Sequence, residues 1–153
     1  MPNCVYWGLK NKAIKMALED NFLGRGWSFP PTFKPQGLVM TTGVEDIERS
    51  LDILLTTRLR ERVLSPDFGS DLQEYVFEPI DTTLRTRLRA VVKAAILYYE
   101  ARILLLDVFI EEPVESPGTL LIDIHFKIRA TNARHNYVYP YYKNEGTDLR
   151  ISV

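Results

Sequence analysis

Three acidic residues are the strongest candidates for chemistry in this sequence: Glu78, Glu100 and Asp107. Glycoside hydrolysis needs two carboxyl groups that flank a sugar bond, one as the acid and the other as the base or nucleophile. The positions of these acids along the chain do not set the distance between them, and no pattern in the sequence indicates a cleft. A hydrolase is therefore the weaker hypothesis, and a protein without catalytic residues is the preferred one.

The other reactive side chains have no partner residue at a spacing that metal binding or nucleophilic catalysis would need. His125 and His135 have no second histidine or cysteine at a metal-ligand spacing, so no metal site is expected. Cys4 is the single cysteine, and neither histidine is near it in sequence, which argues against a nucleophile. The sequence therefore predicts no catalytic residue, no cofactor-binding residue and no metal ligand.

Gly24 and Gly26 could form a phosphate-binding loop, but no Lys-Ser/Thr follows them and no strand precedes them. Prolines and glycines instead make residues 23–40 an ordered loop, because proline removes backbone donors and biases its neighbour to extended conformations. Three residues of this loop are expected to form a strap that closes the core: Trp27, Phe29 and Pro30.

Composition indicates a single globular domain. The chain has 153 residues, enough for a sizeable core without disulfides. Its net charge of −1 favours neither nucleic acid nor an anionic membrane as a partner. A single cysteine suits a reducing compartment, and no stretch approaches the roughly 18 apolar residues of a membrane-spanning helix. The expected location is the cytoplasm.

Two long amphipathic helices are predicted. Thr42 to Glu45 has the T-x-x-E form of a capping box, and the apolar stripe that follows continues to Val63. Asp81 is a suitable N-cap for the second helix, whose apolar residues repeat at helical spacing from Leu84 to Tyr99.

Three strands are predicted after the helices. Ile103 to Ile110 is apolar at nearly every position, which predicts that much of both faces is covered. Leu120 to Ala130 alternates, as in a sheet with one buried and one wet face. Tyr137 to Tyr142 contains Pro140, which cannot donate to a central ladder, so this strand lies at an edge or ends at the proline.

These elements predict an α+β fold in which two long helices pack on a three-stranded antiparallel β-meander. Residues 23–142 form the domain. Residues 1–22 are expected to be an N-terminal arm or a short amphipathic helix, and residues 143–153 a C-terminal tail.

The order of the elements and three segments resemble the sheath-initiator family of contractile tails. The segments are LGRGWSFPP at Leu23–Pro31, the helix and turn at Thr41–Leu72, and NYVYPYY at Asn136–Tyr142. The family comprises phage baseplate wedge proteins long described as lysozyme-like, the type VI secretion baseplate component TssE, and counterparts in extracellular contractile injection systems. The resemblance covers about residues 21–142.

The hallmark of that family is a Glu-Pro-Arg tripeptide between the second helix and the first strand, and the matching residues are Glu100, Ala101 and Arg102. The resemblance implies that the tripeptide docks on the helical core bundle of the baseplate wedge. Alanine replaces a proline that would fix its own φ and restrict the residue before it. An ordinary ion pair at a helix end is the alternative interpretation.

The resemblance also implies a sheet edge that receives extended arms from sheath subunits and templates the first sheath ring. Strand addition needs unpaired backbone amides and carbonyls, and alternate side chains set the register. The second and third predicted strands contain the candidate residues: Ile124, Phe126, Ile128, Tyr137, Val138 and Tyr139.

The implied function is structural, without cofactor or reaction. The implied partners are baseplate wedge proteins and the sheath protein, with the inner tube or a tube-initiator protein as a further candidate, and six copies per baseplate. The implied machine is a phage tail, a type VI secretion system or an extracellular injection particle. Two alternatives stay open: a peptidoglycan-degrading, lysozyme-like enzyme, and an adaptor outside any contractile machine.

Overall fold

The computed structural model describes residues 24–35, 37–116 and 118–143. The predicted arm of residues 1–22 and residues 144–153 of the predicted tail lie outside the described residues. A short 3₁₀ helix, Leu72–Tyr75, separates the two long helices. The remaining elements follow in chain order: β1 (Arg25–Trp27), β2 (Phe33–Lys34), β3 (Gly37–Leu38), β4 (Met40–Thr42), α1 (Gly43–Thr56), α2 (Thr82–Tyr99), β5 (Ile103–Glu111), β6 (Thr119–Ile128) and β7 (Arg134–Tyr142).

The core lies between the two helices and one face of a sheet. Strands β5, β6 and β7 are antiparallel and adjacent in that order, so β6 is the central strand. Alternate residues of β6 face the helices and are at most 1% exposed: Leu120, Ile122, Ile124, Phe126 and Ile128. Burial of each such side chain contributes about 2 kcal/mol. The predicted α+β class and the predicted alternation of this strand are both confirmed.

The position of β6 corrects one prediction. Ile124, Phe126 and Ile128 were expected to belong to an open sheet edge, but β6 is paired on both sides and these side chains are buried. A strand between two neighbours has no unpaired ladder to offer. The open edges of this sheet in the described chain therefore belong to β5 and β7.

The outer face of β5 is exposed, contrary to the expectation that both faces are covered. Leu104, Leu106 and Phe109 are 47%, 45% and 41% exposed, because both helices pack on the opposite face of the sheet. The strand also shifts register between Leu105 and Asp107, which interrupts its alternation.

Helix α1 is shorter than the sequence predicts. The apolar stripe was expected to continue to Val63, but α1 ends at Thr56 and Val63 is 93% exposed. The reason is that a later turn folds back on the helix end. The Ser70 hydroxyl donates to the Leu55 carbonyl over 2.9 Å, and the Ser70 amide donates to the Thr57 carbonyl over 2.9 Å. Carbonyls satisfied in this way do not need further helix.

The two helix starts differ in how they are capped. Asp81 caps α2 as predicted, because its Oδ1 accepts a hydrogen bond of 2.6 Å from the Leu84 amide. Thr42 is the N-cap residue of α1, but its hydroxyl makes no capping hydrogen bond, so the predicted capping box is wrong. Gly43 takes a left-handed φ of 66°, which removes the usual capping geometry.

The predicted strap does not close the core. Trp27 and Phe29 are 68% and 53% exposed, and Pro30 is exposed as well. Strand β1 pairs with β4 as a small antiparallel ribbon, with Gly26 opposite Thr41. Gly26 lies close to Asp46 of α1, whereas Trp27, the next residue of β1, is exposed and does not enter the core.

Candidate functional site

The candidate site begins where α2 turns into β5. We call Glu100, Ala101 and Arg102 the junction. Glu100 is the residue after the last helical one, and its amide donates to the Ile96 carbonyl over 3.0 Å. Its φ of −118° and ψ of 76° lie outside the helical region, so the helix stops here without a proline. Ala101 is exposed.

Glu100 and Arg102 form a two-pronged ion pair inside the protein. Arg102 Nε lies 2.6 Å from Glu100 Oε1, and Arg102 Nη2 lies 2.7 Å from Glu100 Oε2. This fork-to-fork geometry is among the strongest charge-assisted arrangements available to side chains. The Glu100 side chain is only 3% exposed and that of Arg102 is 29% exposed. The Glu100 carboxylate is therefore more deeply buried than the Arg102 guanidinium.

A third residue ties the junction to α1. Asp46 Oδ2, in the first turn of that helix, lies 2.7 Å from Arg102 Nη1. The other oxygen, Asp46 Oδ1, accepts a hydrogen bond of 3.1 Å from the Thr41 hydroxyl. Asp46 is 13% exposed. Arg102 thus bridges two carboxylates, Asp46 at the start of α1 and Glu100 at the end of α2. Both carboxylates fix the orientation of its guanidinium.

Glu100 and Arg102 both stay charged at neutral pH. Burial raises the pKa of Glu100, but hydrogen bonds from Arg102 and Ser50 and the charge of Arg102 outweigh it, so the net pKa is lowered. The hydrogen bonds that Arg102 donates to Glu100 are the largest influence on the pKa of Arg102 and raise it further. The Glu100–Arg102 pair is therefore a lasting ion pair and not a proton-transfer device.

Two glycines let β1 approach this network. A Cβ on Gly26 would collide with Asp46 Oδ1, and a Cβ on Gly24 would lie 3.2 Å from Arg102 Nη1. Gly24 also has a φ of 94°, which side chains rarely adopt. The Gly-x-Gly spacing is thus explained by close approach to an ion-pair network, and no phosphate cradle is needed.

A cleft of about 460 Å³ opens beside the network, between residues 26–31 and helix α1. We call this cavity the cleft. Its main lining residues are Trp27, Phe29, Pro31, Asp46, Arg49, Ser50, Ile53, Arg62, Phe68 and Arg102. The exposed aromatic residues of the predicted strap therefore line a surface cavity.

Strand β7 contains the remaining predicted site residues. The Tyr137 hydroxyl donates to Asp52 Oδ1 over 3.3 Å, and the Tyr139 hydroxyl lies 3.4 Å from the Thr56 hydroxyl, so both side chains face α1. Val138 points the opposite way and is 44% exposed. Strand β7 pairs only with β6, so its second edge is open in the described chain.

The family model of baseplate wedge protein gp25 matches residues 41–133, which include Asp46 and the whole junction. The chain belongs to the baseplate wedge protein gp25 family. Proteins of this family are described as baseplate wedge proteins.

Individual relatives agree with the gp25 family. Baseplate wedge protein gp25 of Enterobacteria phage T4 is 33% identical over 86 residues, which are 56% of this chain and 64% of the T4 protein. The aligned chain thus spans slightly less than two thirds of that relative's length.

Solved structures show the same fold. A proposed tail lysozyme from Geobacter sulfurreducens is 42% identical, with a TM-score of 0.64, over 71% of this chain and 97% of that one. A chain of the sixfold-symmetrised anti-feeding prophage baseplate is 27% identical, also with a TM-score of 0.64, over 85% and 94%. A chain of the type VI secretion baseplate complex is 17% identical with a TM-score of 0.54, over 65% and 92%, and shows the fold alone.

The acids of the hydrolase hypothesis belong to separate structural pairs in this gp25-family chain. Glu78 pairs with Arg87 over 3.3 Å, and Asp107 pairs with Lys93 over 3.2 Å. The Val108 amide, followed by Lys93, lowers the pKa of Asp107, and the pKa of Glu100 is also lowered. A general acid in glycoside hydrolysis needs a raised pKa. Neither carboxyl has that property.

Two further observations concern the described residues alone. No helix among them is both long enough and apolar enough to span a membrane. Within the same ranges, no three or more histidine, cysteine, aspartate or glutamate side chains come together in a way that could hold a metal ion.

Sequence reasoning missed Asp46, the residue that links the junction to α1. One clue to Asp46 in the sequence is its position beside Glu45 in the first turn of α1, where the helix dipole favours any acid. The glycine spacing of β1 was the second clue, because Gly26 leaves room for the Asp46 carboxylate.

Proposed function

We propose that this gp25-family chain joins the baseplate wedge to the first ring of the sheath. The observation that carries the proposal is the Glu100–Arg102–Asp46 network, which holds a partly exposed guanidinium in one orientation at the end of α2. A charged side chain that is already held in one orientation loses little conformational entropy on binding. That is the property expected of a subunit that docks into a larger assembly.

The wedge-facing surface consists of Ala101 and the exposed part of Arg102. Glu100 is buried, so it acts as a positioning residue that holds the guanidinium from below. The family's proline would hold this turn by restricting φ. In this chain the hydrogen bonds of Arg102 to Glu100, within the tripeptide, and to Asp46 of α1 take that role.

The sheath-facing surface is the open edge of β7. Tyr137 and Tyr139 anchor this strand to α1 through their hydroxyl groups. An extended arm from a sheath subunit would add a fourth strand beside β7, as in other cases of strand addition. Val138, exposed on the outer face, would help to set the register. The added strand would template the first sheath ring.

The proposed assembly has six copies of the chain per baseplate and forms in the bacterial cytoplasm. The sixfold-symmetrised baseplate that contains a 27% identical chain supports this copy number. The inner tube or a tube-initiator protein is the proposed contact of residues 1–22.

Substitution of Ala101 by glutamate tests the wedge contact. Ala101 is exposed, so Ala101→Glu leaves the folded chain intact while placing a charged side chain on the docking surface. The variant is expected to lose co-purification with the wedge proteins of the same machine. Ala94→Glu changes another exposed alanine, on α2, and should co-purify normally. Equal recovery of wedge proteins with both variants would reject the proposed contact.

A peptidoglycan-degrading enzyme is the second candidate, because the 42% identical relative is described as a proposed tail lysozyme. The lowered pKa values of Glu100 and Asp107 argue against it. The structural role is the better-supported proposal.

A further inference from the structure

The cleft has large aromatic side chains in its lining, and two of them are more than half exposed. Its apolar lining includes Trp27 and Phe29, which are 68% and 53% exposed, together with Phe68 and Ile53. Large exposed apolar patches on soluble proteins usually mark interaction sites. A cavity of about 460 Å³ lies within the range of about 300–1,000 Å³ typical of ligand sites.

The accessible charge of the cleft is positive. The Arg62 guanidinium lies 4.1 Å from the centroid of the Phe68 ring, and Arg49 projects from the face of α1 that lines the cavity. Both arginines are exposed, and neither forms an ion pair with a described residue. Asp46 is the one acid among the lining residues, and Arg102 already holds it.

We propose that the cleft receives a short acidic segment of a wedge protein. One large apolar side chain of that segment enters between Trp27 and Phe68, and carboxylates on either side of it pair with Arg49 and Arg62. Aromatic residues and arginine are the side chains most enriched at the energetic centres of protein interfaces. This inference rests on the proposed wedge contact and adds the chemistry of the partner.

The small number of positive charges in the cleft favours an acidic peptide over a nucleic acid as the occupant. Aromatic rings and arginines can also bind single-stranded nucleic acid by stacking and phosphate contacts. The cleft, however, offers only two arginines outside the ion-pair network, on a chain of net charge −1. Nucleic-acid binding at physiological salt usually relies on a larger basic surface.

The test uses the full chain and a capped, fluorescent peptide with one central leucine flanked by glutamates. We expect saturable binding that weakens at least tenfold when the leucine becomes alanine or the glutamates become lysines. The double variant Arg49→Gln/Arg62→Gln should weaken binding by at least tenfold. The single variant Trp27→Ala should also weaken binding by at least tenfold. All three residues are exposed, so folding should be retained. Arg134→Gln removes an exposed charge from β7 and is the matched control.

The outcomes separate this inference from the proposed function. If the peptide does not bind at millimolar concentration while the wild-type chain co-purifies with wedge proteins, the cleft inference is wrong and the wedge contact stands. If co-purification also fails, the proposed function is wrong. Equal binding of the leucine and alanine peptides, or tighter binding of an oligothymidine probe, would also overturn the inference.

Discussion

Arg102 Nη1 lies 2.7 Å from Asp46 Oδ2, although 56 positions separate the two residues along the chain. This contact joins the end of α2 to the start of α1, and Glu100 closes the network from below. The junction is therefore part of the fold as well as a candidate docking surface, and experiments on it must separate the two roles.

Loss of the guanidinium should destabilise the domain. Arg102→Ala leaves the buried Glu100 carboxylate without its partner, and breaking a buried pair in this way costs about 3 kcal/mol. Arg102→Lys keeps the charge but cannot form the fork, so its loss should be smaller. Denaturant unfolding measures both. Arg134→Ala, on an exposed arginine of β7, should change stability by less than about 0.5 kcal/mol. Equal stability of the Arg102→Ala and Arg134→Ala variants would contradict this account.

A methyl group at Gly26 should be poorly tolerated because of Asp46. The added Cβ would collide with Asp46 Oδ1, so Gly26→Ala is expected to cost about 1–3 kcal/mol. In an Asp46→Ala background the same substitution should cost less, since the colliding oxygen is gone. A double-mutant cycle by denaturant unfolding measures this coupling. Additive effects would show that Gly26 matters for some other reason.

The stability that Glu100 contributes should disappear in acid. Its pKa in the folded chain is lowered from 4.5, so the contribution is present above about pH 4.5 and is lost as the pH falls through the lower folded value. The difference in unfolding free energy between wild type and Glu100→Gln should therefore shrink from pH 7 to about pH 3. Glu74→Gln, on an exposed acid of the 3₁₀ helix, is the control. A difference that stays constant over this range would argue against the assignment.

Binding of sheath arms should protect one strand edge. If an arm adds beside β7, amides within Arg134–Tyr142 that exchange in the free chain should exchange more slowly once sheath protein is present. Hydrogen–deuterium exchange with mass spectrometry measures this, and peptides from α2 provide the internal control. Protection confined to β5, the other edge strand, would move the proposed sheath contact to the opposite side of the sheet.

The purified chain should not lyse cell walls. A zymogram on bacterial peptidoglycan, with hen egg-white lysozyme as the positive control, is expected to show no clearing. The physical reason is that Glu100 and Asp107 have lowered pKa values and cannot serve as general acids near neutral pH. Clearing by the wild-type chain that Glu78→Gln or Glu100→Gln abolishes would favour the enzyme.

Local pattern in the sequence was sufficient for the regular elements of the core. The period-two alternation of β6 encodes which of its residues are buried, and the Asp81 cap with the apolar repeat of α2 encodes where that helix begins. Both depend on neighbours within a few residues, so a single sequence contains the necessary information. The tripeptide at the junction was also found from sequence, through its resemblance to a family motif.

Tertiary structure alone decided how polar groups and exposed aromatic residues are used. Periodicity shows which face of an element is apolar, but not which distant charge meets Arg102. The sequence therefore left Asp46 unrecognised and did not show that Glu100, expected to take part in docking, is buried. Helix α1 ends at Thr56 because Ser70 bonds back to it, a contact that local propensity does not contain. Trp27 lines an open cleft beside α1 and is absent from the core, a placement that the loop composition of residues 23–40 does not reveal.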